Sequence, residues 1–90
     1  MSRIEWAPRA ARAMFDLAEY LEEVASKEVA LRIVGHIYDS VNLLEDQPFL
    51  GRPAEMRGRR EFVVGEHVVT YQVKRGAVRV LKVEHGRQRK

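Results

Sequence analysis

Apolar residues recur at intervals of three and four in two stretches of the first half of the chain. The first stretch follows Pro8, which suits the first turn of a helix because that position needs no backbone N–H donor. The apolar positions are Ala10, Ala13, Leu17, Tyr20, Leu21 and Val24. These steps predict one apolar stripe along a helix that ends near Ala25, and we expect the stripe to face the core.

The second stretch follows Ser26, whose hydroxyl is suited to capping a helix N-terminus. Its apolar positions are Val29, Ala30, Ile33, Ile37, Val41 and Leu44. Residues 46–48 should end this helix, because the residue before Pro48 disfavours the helical backbone. With almost no loop between them, the two helices should form an antiparallel hairpin that needs a sheet to cover both stripes.

Alternating β-prone residues predict a short strand at 2–6 and three further strands at about 59–64, 67–74 and 77–84. Gly65-Glu66 suits a two-residue type II′ turn, and Arg75-Gly76 suits a tight turn with positive φ at the glycine. Along the central strand, one face should carry Val69, Tyr71 and Val73, and the other Val68, Thr70, Gln72 and Lys74.

The predicted order is therefore β-α-α-β-β-β. We expect an α+β fold in which a helical hairpin packs on one face of a mostly antiparallel four-stranded sheet. Residues 47–58 are rich in proline and glycine and are predicted to be a loop. Ninety residues leave room for one core, so we expect a single domain over residues 1–90.

Composition narrows the function classes. The chain has no cysteine, and its three histidines are dispersed, so we expect no disulfide, no metal site and no cofactor. It has no apolar run long enough to span a membrane and no apolar leader, which favours a cytoplasmic protein.

Charge divides the chain into two unequal halves. Residues 1–50 carry five Lys/Arg and nine Asp/Glu, a net charge of −4, whereas residues 51–90 carry eleven and four, a net charge of +7. A basic half suggests an acidic partner, either a nucleic acid or an acidic protein segment. The alternative is a solvated face that only aids solubility.

Several short motifs, taken in order, resemble the RelE/ParE toxin superfamily of type II toxin–antitoxin modules. They are Trp6-x-x-x-Ala10, Asp16-Leu17, Leu44-x-x-x-Pro48-x-x-Gly51-Arg52, Arg60-Glu61-Phe62-Val63-Val64, Tyr71 with its flanking valines, and the segment from Val80 to Gln88 that contains His85-Gly86-Arg87. The set spans about the whole chain at matching spacing. The resemblance implies the same β-α-α-β-β-β fold. It also implies an antitoxin, typically a ribbon-helix-helix dimer, whose acidic or amphipathic tail neutralises the toxin.

This superfamily has two functional branches. One branch consists of ribosome-dependent endoribonucleases that cleave messenger RNA. The other, ParE-like, inhibits DNA gyrase, and the resemblance implies that this branch has no nuclease activity. Toxins of both branches cause growth arrest, and ParE-like modules are associated with plasmid stabilisation.

Attack by the RNA 2′-OH needs a base, an acid and a cation beside the crowded phosphate. In one group of the nuclease branch the resemblance implies Glu, Arg and His in these roles, and by position Glu55 and His85 match the Glu and the His. Val68 occupies the arginine position, and an apolar side chain cannot stabilise that phosphate. Arg79 or Arg60 would have to substitute. His85 has a second interpretation, a strand-end histidine that forms only local hydrogen bonds.

We therefore expect a ParE-like toxin that binds gyrase, is neutralised by a ParD-like antitoxin and has no catalytic residues. The alternative is a RelE-like enzyme that acts on ribosome-bound messenger RNA through Glu55 and His85. The candidate residues for binding the target or the antitoxin are Arg52, Arg57, Arg59, Arg60, Arg79, His85 and Arg87.

Overall fold

The structure, a computed structural model, describes residues 2–88. The elements are β1 (Arg3–Trp6), α1 (Pro8–Val24), α2 (Lys27–Asn42), β2 (Arg52–Pro53), β3 (Arg60–Val64), β4 (His67–Lys74) and β5 (Ala77–His85), with 3₁₀ turns at Leu43–Glu45 and Gly86–Gln88. The strands form a sheet with the order β1-β5-β4-β3-β2, and two helices cover one face of it. Strand β1 runs parallel to β5, and the other neighbouring strands are antiparallel.

The helical hairpin forms as the pattern predicts. Pro8 occupies the first turn of α1, and the Ser26 hydroxyl accepts a hydrogen bond of 3.0 Å from the backbone N–H of Val29 at the start of α2. The helical path after α2 continues as a 3₁₀ turn that buries Leu44 completely. Proline and the serine cap therefore fix where each helix begins.

The end of the first predicted stripe does not reach the core. Tyr20 and Val24 are each 60% exposed, so the prediction that the whole stripe faces the core is wrong at these two positions, whereas Leu21 is half-buried. The buried positions of α1 are Ala10 and Met14. The periodicity marks the side of the helix that faces the sheet, but the last two turns of α1 extend past the buried core.

Both predicted β-turns are present. Gly65 has φ +60°, and Gly76 and Arg75 have φ +75° and +49°, so the second turn places two residues in the left-handed region rather than the glycine alone. Between β4 and β5 the register shifts at Thr70/Tyr71, where Val80 pairs with Tyr71 and Lys82 with Thr70. The extra residue lets Val80 and Val83 both face the helices.

The sheet has five strands rather than four. Arg52 and Pro53 form the short edge strand β2, which pairs antiparallel with Glu61 and Arg60 of β3. A two-residue strand containing proline has no alternating pattern by which to detect it. The core lies between the helices and the middle strands, and its fully buried side chains include Met14, Ile37, Val41, Leu44, Val69, Tyr71, Val78 and Val80.

Candidate functional site

The seven candidate binding residues lie in three places. Arg52, Arg57, Arg59 and Arg60 are in residues 47–60, which comprise β2, its flanking loops and the start of β3 and are called here the arginine hairpin. His85 and Arg87 lie at the far end of the sheet with Glu66 and His67, and these four residues are called the histidine cluster. Arg79 stands apart on the sheet face opposite the helices, 3.8 Å from Glu5.

Tyr71 fixes the backbone of the arginine hairpin from below. Its hydroxyl donates a hydrogen bond of 2.8 Å to the carbonyl of Pro48 and accepts one of 2.9 Å from the N–H of Gly51. A Cβ atom at Gly51 would lie 2.7 Å from the backbone oxygen of Glu61 and 2.8 Å from the Tyr71 hydroxyl. Glycine is therefore required at position 51. Burial of the Tyr71 phenol also raises the pKa of that residue.

Arg60 holds the same loop from the side. Its guanidinium donates to the carbonyl of Gly51 at 2.6 Å and to that of Phe49 at 3.4 Å, and it lies 4.9 Å from the centre of the Phe49 ring. The guanidinium of Arg60 is therefore engaged in contacts within the protein. Arg52 forms an exposed pair with Glu61 at 3.4 Å, and Arg57 is exposed.

The histidine cluster joins the end of β5 to the turn after β3. The Nε2 atom of His85 lies 3.0 Å from a carboxylate oxygen of Glu66, and its Nδ1 atom accepts a hydrogen bond of 3.0 Å from the N–H of Arg87. Since Nδ1 accepts, the proton of the neutral ring lies on Nε2 and points at Glu66. The ring of His67 meets that of His85 edge to face, with 5.3 Å between centroids.

The surroundings of the histidine cluster shift the pKa values of two of its residues, Glu66 and His67. The hydrogen bond from His85, and the positive charge of that ring when it is protonated, lower the pKa of the exposed Glu66 carboxyl. Burial lowers the pKa of His67, and the neighbouring His85 lowers it further. A neutral His67 is therefore favoured in the folded protein.

Two open grooves flank His67 beneath the helical hairpin. One, of about 350 Å³, lies between α2 and the β3–β4 turn, and the other, of about 630 Å³, lies between α1 and the end of β5. His67 lines both, with Ile33 and Val64 in the first and Leu17 and Val83 in the second. This end of the molecule thus offers a concave surface that is partly apolar.

The structure does not bring the predicted nuclease residues together. Glu55 lies in the turn beyond Arg60, whereas His85 is level with Val64 at the opposite end of β3. Arg60 and Val64 are four residues apart along β3. The level of Arg60, beyond which Glu55 lies, is therefore roughly 13 Å from the level of His85, at about 3.3 Å per residue. Val68 is 6% exposed and lies on the sheet face opposite the one that carries His85. The carboxylate beside His85 is Glu66, not Glu55.

Comparison with known proteins decides the family. A family model described as the ParE toxin of the type II toxin–antitoxin system, parDE, matches residues 4–90. A Sinorhizobium fredii (strain NBRC 101917 / NGR234) protein named "Putative toxin Y4kP" is 32% identical over 88 residues, which are 96% of this chain and 90% of that protein. The chain belongs to the ParE toxin family. The resemblance inferred from the sequence motifs is thereby confirmed.

Solved structures show the same ParE-type fold. The chromosomal ParDE system from P. aeruginosa includes a chain with a TM-score of 0.85 at 22% identity, covering 94% of this chain and 96% of that one. A YoeB/ParE toxin from Agrobacterium tumefaciens has a TM-score of 0.62 at 18% identity, with 92% and 96% covered. At these identities the likeness concerns the fold.

Sequence reasoning missed several residues that organise these two regions of the ParE-type fold. Glu66 gives no signal beyond its place in a turn. Alternation places Tyr71 on one face of the central strand but does not reveal it as the partner of Pro48 and Gly51. Pro48 and Gly51 belong to one of the sequence motifs that carry the family resemblance. Its physical reason, a loop fixed by Tyr71 across 20 to 23 residues, becomes visible only in the structure.

Among residues 2–88, no group of three His, Asp or Glu side chains is placed to hold a metal ion. No helix in that part of the chain is long and apolar enough to cross a bilayer.

Proposed function

We propose that this ParE-family toxin inhibits DNA gyrase by binding it and is neutralised by a cognate ParD-like antitoxin. The observation that carries the proposal is the match of residues 4–90 to the parDE toxin family. The solved ParDE system with the same fold supports an antitoxin partner. The charge of +7 over residues 51–90 gives an acidic antitoxin tail a physical reason to bind.

The placement of the candidate catalytic residues favours binding over RNA cleavage. General acid–base catalysis needs its groups within hydrogen-bond reach of one substrate, or within one water of it. Glu55 and His85 lie at opposite ends of β3, and the position expected to hold the phosphate-binding arginine is Val68 on the other sheet face. His85 directs its Nε2 proton to Glu66. Both proposed partners are cytoplasmic, so we propose the same location for the toxin.

Two assays on the same purified toxin test the proposal. Gyrase supercoiling should be inhibited, with accumulation of the gyrase–DNA cleavage complex, and added antitoxin should restore supercoiling. Toeprinting of messenger RNA on ribosomes should show no cleavage in the A site. Cleavage that disappears in His85→Ala, with supercoiling unaffected, would support the endoribonuclease instead.

A further inference from the structure

The loop at residues 47–51 presents two large apolar side chains to solvent. Phe49 is 63% exposed and Leu50 45% exposed, and Met56, in the turn of the same arginine hairpin, is 59% exposed. Exposed apolar side chains are common singly, but neighbouring ones on one short segment are a feature of interaction surfaces.

This loop is held rigidly although its side chains are exposed. Its backbone makes hydrogen bonds to the Tyr71 hydroxyl through Pro48 and Gly51, and to the Arg60 guanidinium through Gly51 and Phe49. The N–H of Leu50 closes the turn on the carbonyl of Gln47 at 3.1 Å. A loop ordered in advance loses less conformational entropy when a partner binds, which raises affinity.

The Phe49 ring is oriented as well as exposed. The Arg60 guanidinium, 4.9 Å from the ring centroid, covers part of the ring and fixes its direction while most of its surface stays open. Phenylalanine, like the other aromatic residues, is enriched at the buried core of protein interfaces, and a ring already held in one orientation loses less conformational entropy on binding.

The surroundings of Phe49 and Leu50 are basic. Residues 47–60 contain four arginines and one acidic residue, Glu55, a net charge of +3. A complementary partner segment would carry carboxylates next to an apolar side chain. Nucleic acid fits less well, because Phe49 and Leu50 offer no hydrogen-bond donor to a phosphate.

We propose that Phe49, Leu50 and the arginines around them form a docking surface for an acidic, apolar segment of the antitoxin. The proposal rests on the proposed function for the existence of that antitoxin. It names a surface separate from the histidine cluster, since the two lie at opposite ends of β3. An apolar side chain of the antitoxin packs on Phe49 and Leu50, and its flanking carboxylates face Arg52 and Arg57.

The test compares two double variants of the full-length toxin. Phe49→Ala with Leu50→Ala removes the proposed contact. Phe15→Ala with Leu31→Ala is the matched control, because Phe15 and Leu31 are 55% and 67% exposed, lie on the helices, and Phe15 also has an arginine, Arg12, 5.6 Å from its ring. The probe is the product of the reading frame that adjoins the toxin gene, which the proposed function takes to be the antitoxin. Surface plasmon resonance gives the dissociation constants, and urea midpoints confirm that each variant is folded.

The loop variant should bind this antitoxin about thirty-fold or more weakly, the loss expected when two interface anchors are truncated. The control should bind like the wild type, and the loop variant should still inhibit gyrase. Arg57→Glu should also weaken binding and reduce its salt dependence.

If the loop variant bound the antitoxin with wild-type affinity, this inference would be overturned and the proposed function would be unaffected. Loss of gyrase inhibition with unchanged antitoxin binding would assign the surface to the target and overturn it as well. No binding of the antitoxin by the wild-type toxin would instead refute the neutralisation part of the proposed function, and with it this inference.

Discussion

Removing the side-chain hydroxyl of Tyr71 should destabilise the protein more than removing that of any other tyrosine. In Tyr71→Phe the carbonyl of Pro48 loses its donor at 2.8 Å and the N–H of buried Gly51 loses its acceptor at 2.9 Å. A hydrogen bond contributes about 0.5–1.5 kcal/mol net, and a buried group left without a partner costs about 1–3 kcal/mol. We therefore expect a loss of about 2–3 kcal/mol in the free energy of unfolding, within those ranges.

Urea unfolding followed by circular dichroism measures this loss. With a slope of about 1 kcal/mol per molar urea for a protein of this size, the midpoint should fall by about 2–3 M. Tyr20→Phe is the matched control, because Tyr20 is 60% exposed, and its free energy of unfolding should change by less than about 0.5 kcal/mol. A similarly small change in Tyr71→Phe, with the slope unaltered, would show that Tyr71 does not fix the loop.

The stability difference between the wild type and Tyr71→Phe should also depend on pH in the alkaline range. The pKa of Tyr71 is raised in the folded protein, chiefly by burial, so above pH about 10 the unfolded chain loses this proton first. The contribution of Tyr71 to stability is complete below that pH and declines as the pH rises toward the folded pKa. The stability difference between the wild type and Tyr71→Phe should therefore narrow above pH about 10. A difference that stays constant would contradict the burial of the phenol.

Three further substitutions test other parts of the structure. Gly51→Ala should cost about 2 kcal/mol or more because its Cβ would meet Glu61 and Tyr71, whereas Gly35→Ala, in open space on α2, should be neutral or stabilising by up to about 1 kcal/mol; both are read from urea midpoints. Ser26→Ala should cost about 1 kcal/mol by removing the cap of α2, seen as a lower thermal midpoint. Because the pKa of His67 is lowered, the unfolded chain takes up this proton first as pH falls below about 6.5. Stability should therefore decline through that range, and less so in His67→Gln.

Sequence reasoning identified the elements whose signal is local. Ser26 caps α2 and Gly65 forms the tight turn because each depends on residues within three positions along the chain. The central strand alternates as expected, with Val69 and Tyr71 buried against the helices. Period, capping and turn chemistry were sufficient for these features.

The features that were missed depend on distant pairing. The two-residue strand β2 exists because β3 provides a partner, and the register shift at Thr70/Tyr71 is a property of two strands together. Glu66 and His85 are 19 residues apart, and their contact follows from the register of β3, β4 and β5. The exposure of Val24 likewise depends on where the sheet ends, which helical periodicity does not specify.

The arginines form one basic set in the sequence, but their positions in the structure divide them into those that contact the protein itself and those that are exposed. Arg60 is a structural residue that binds two carbonyls of its own loop, and Arg79 is near Glu5 on the open face. Arg57 is exposed on the arginine hairpin and remains a proposed binding residue. Net charge predicted an acidic partner, but the contacts show which arginines are available to meet one.

The most direct test of the central claim is a gyrase supercoiling titration with the purified toxin. The account predicts inhibition, accumulation of the cleavage complex and recovery of supercoiling on addition of the antitoxin. Full supercoiling activity at a large excess of folded toxin would contradict it.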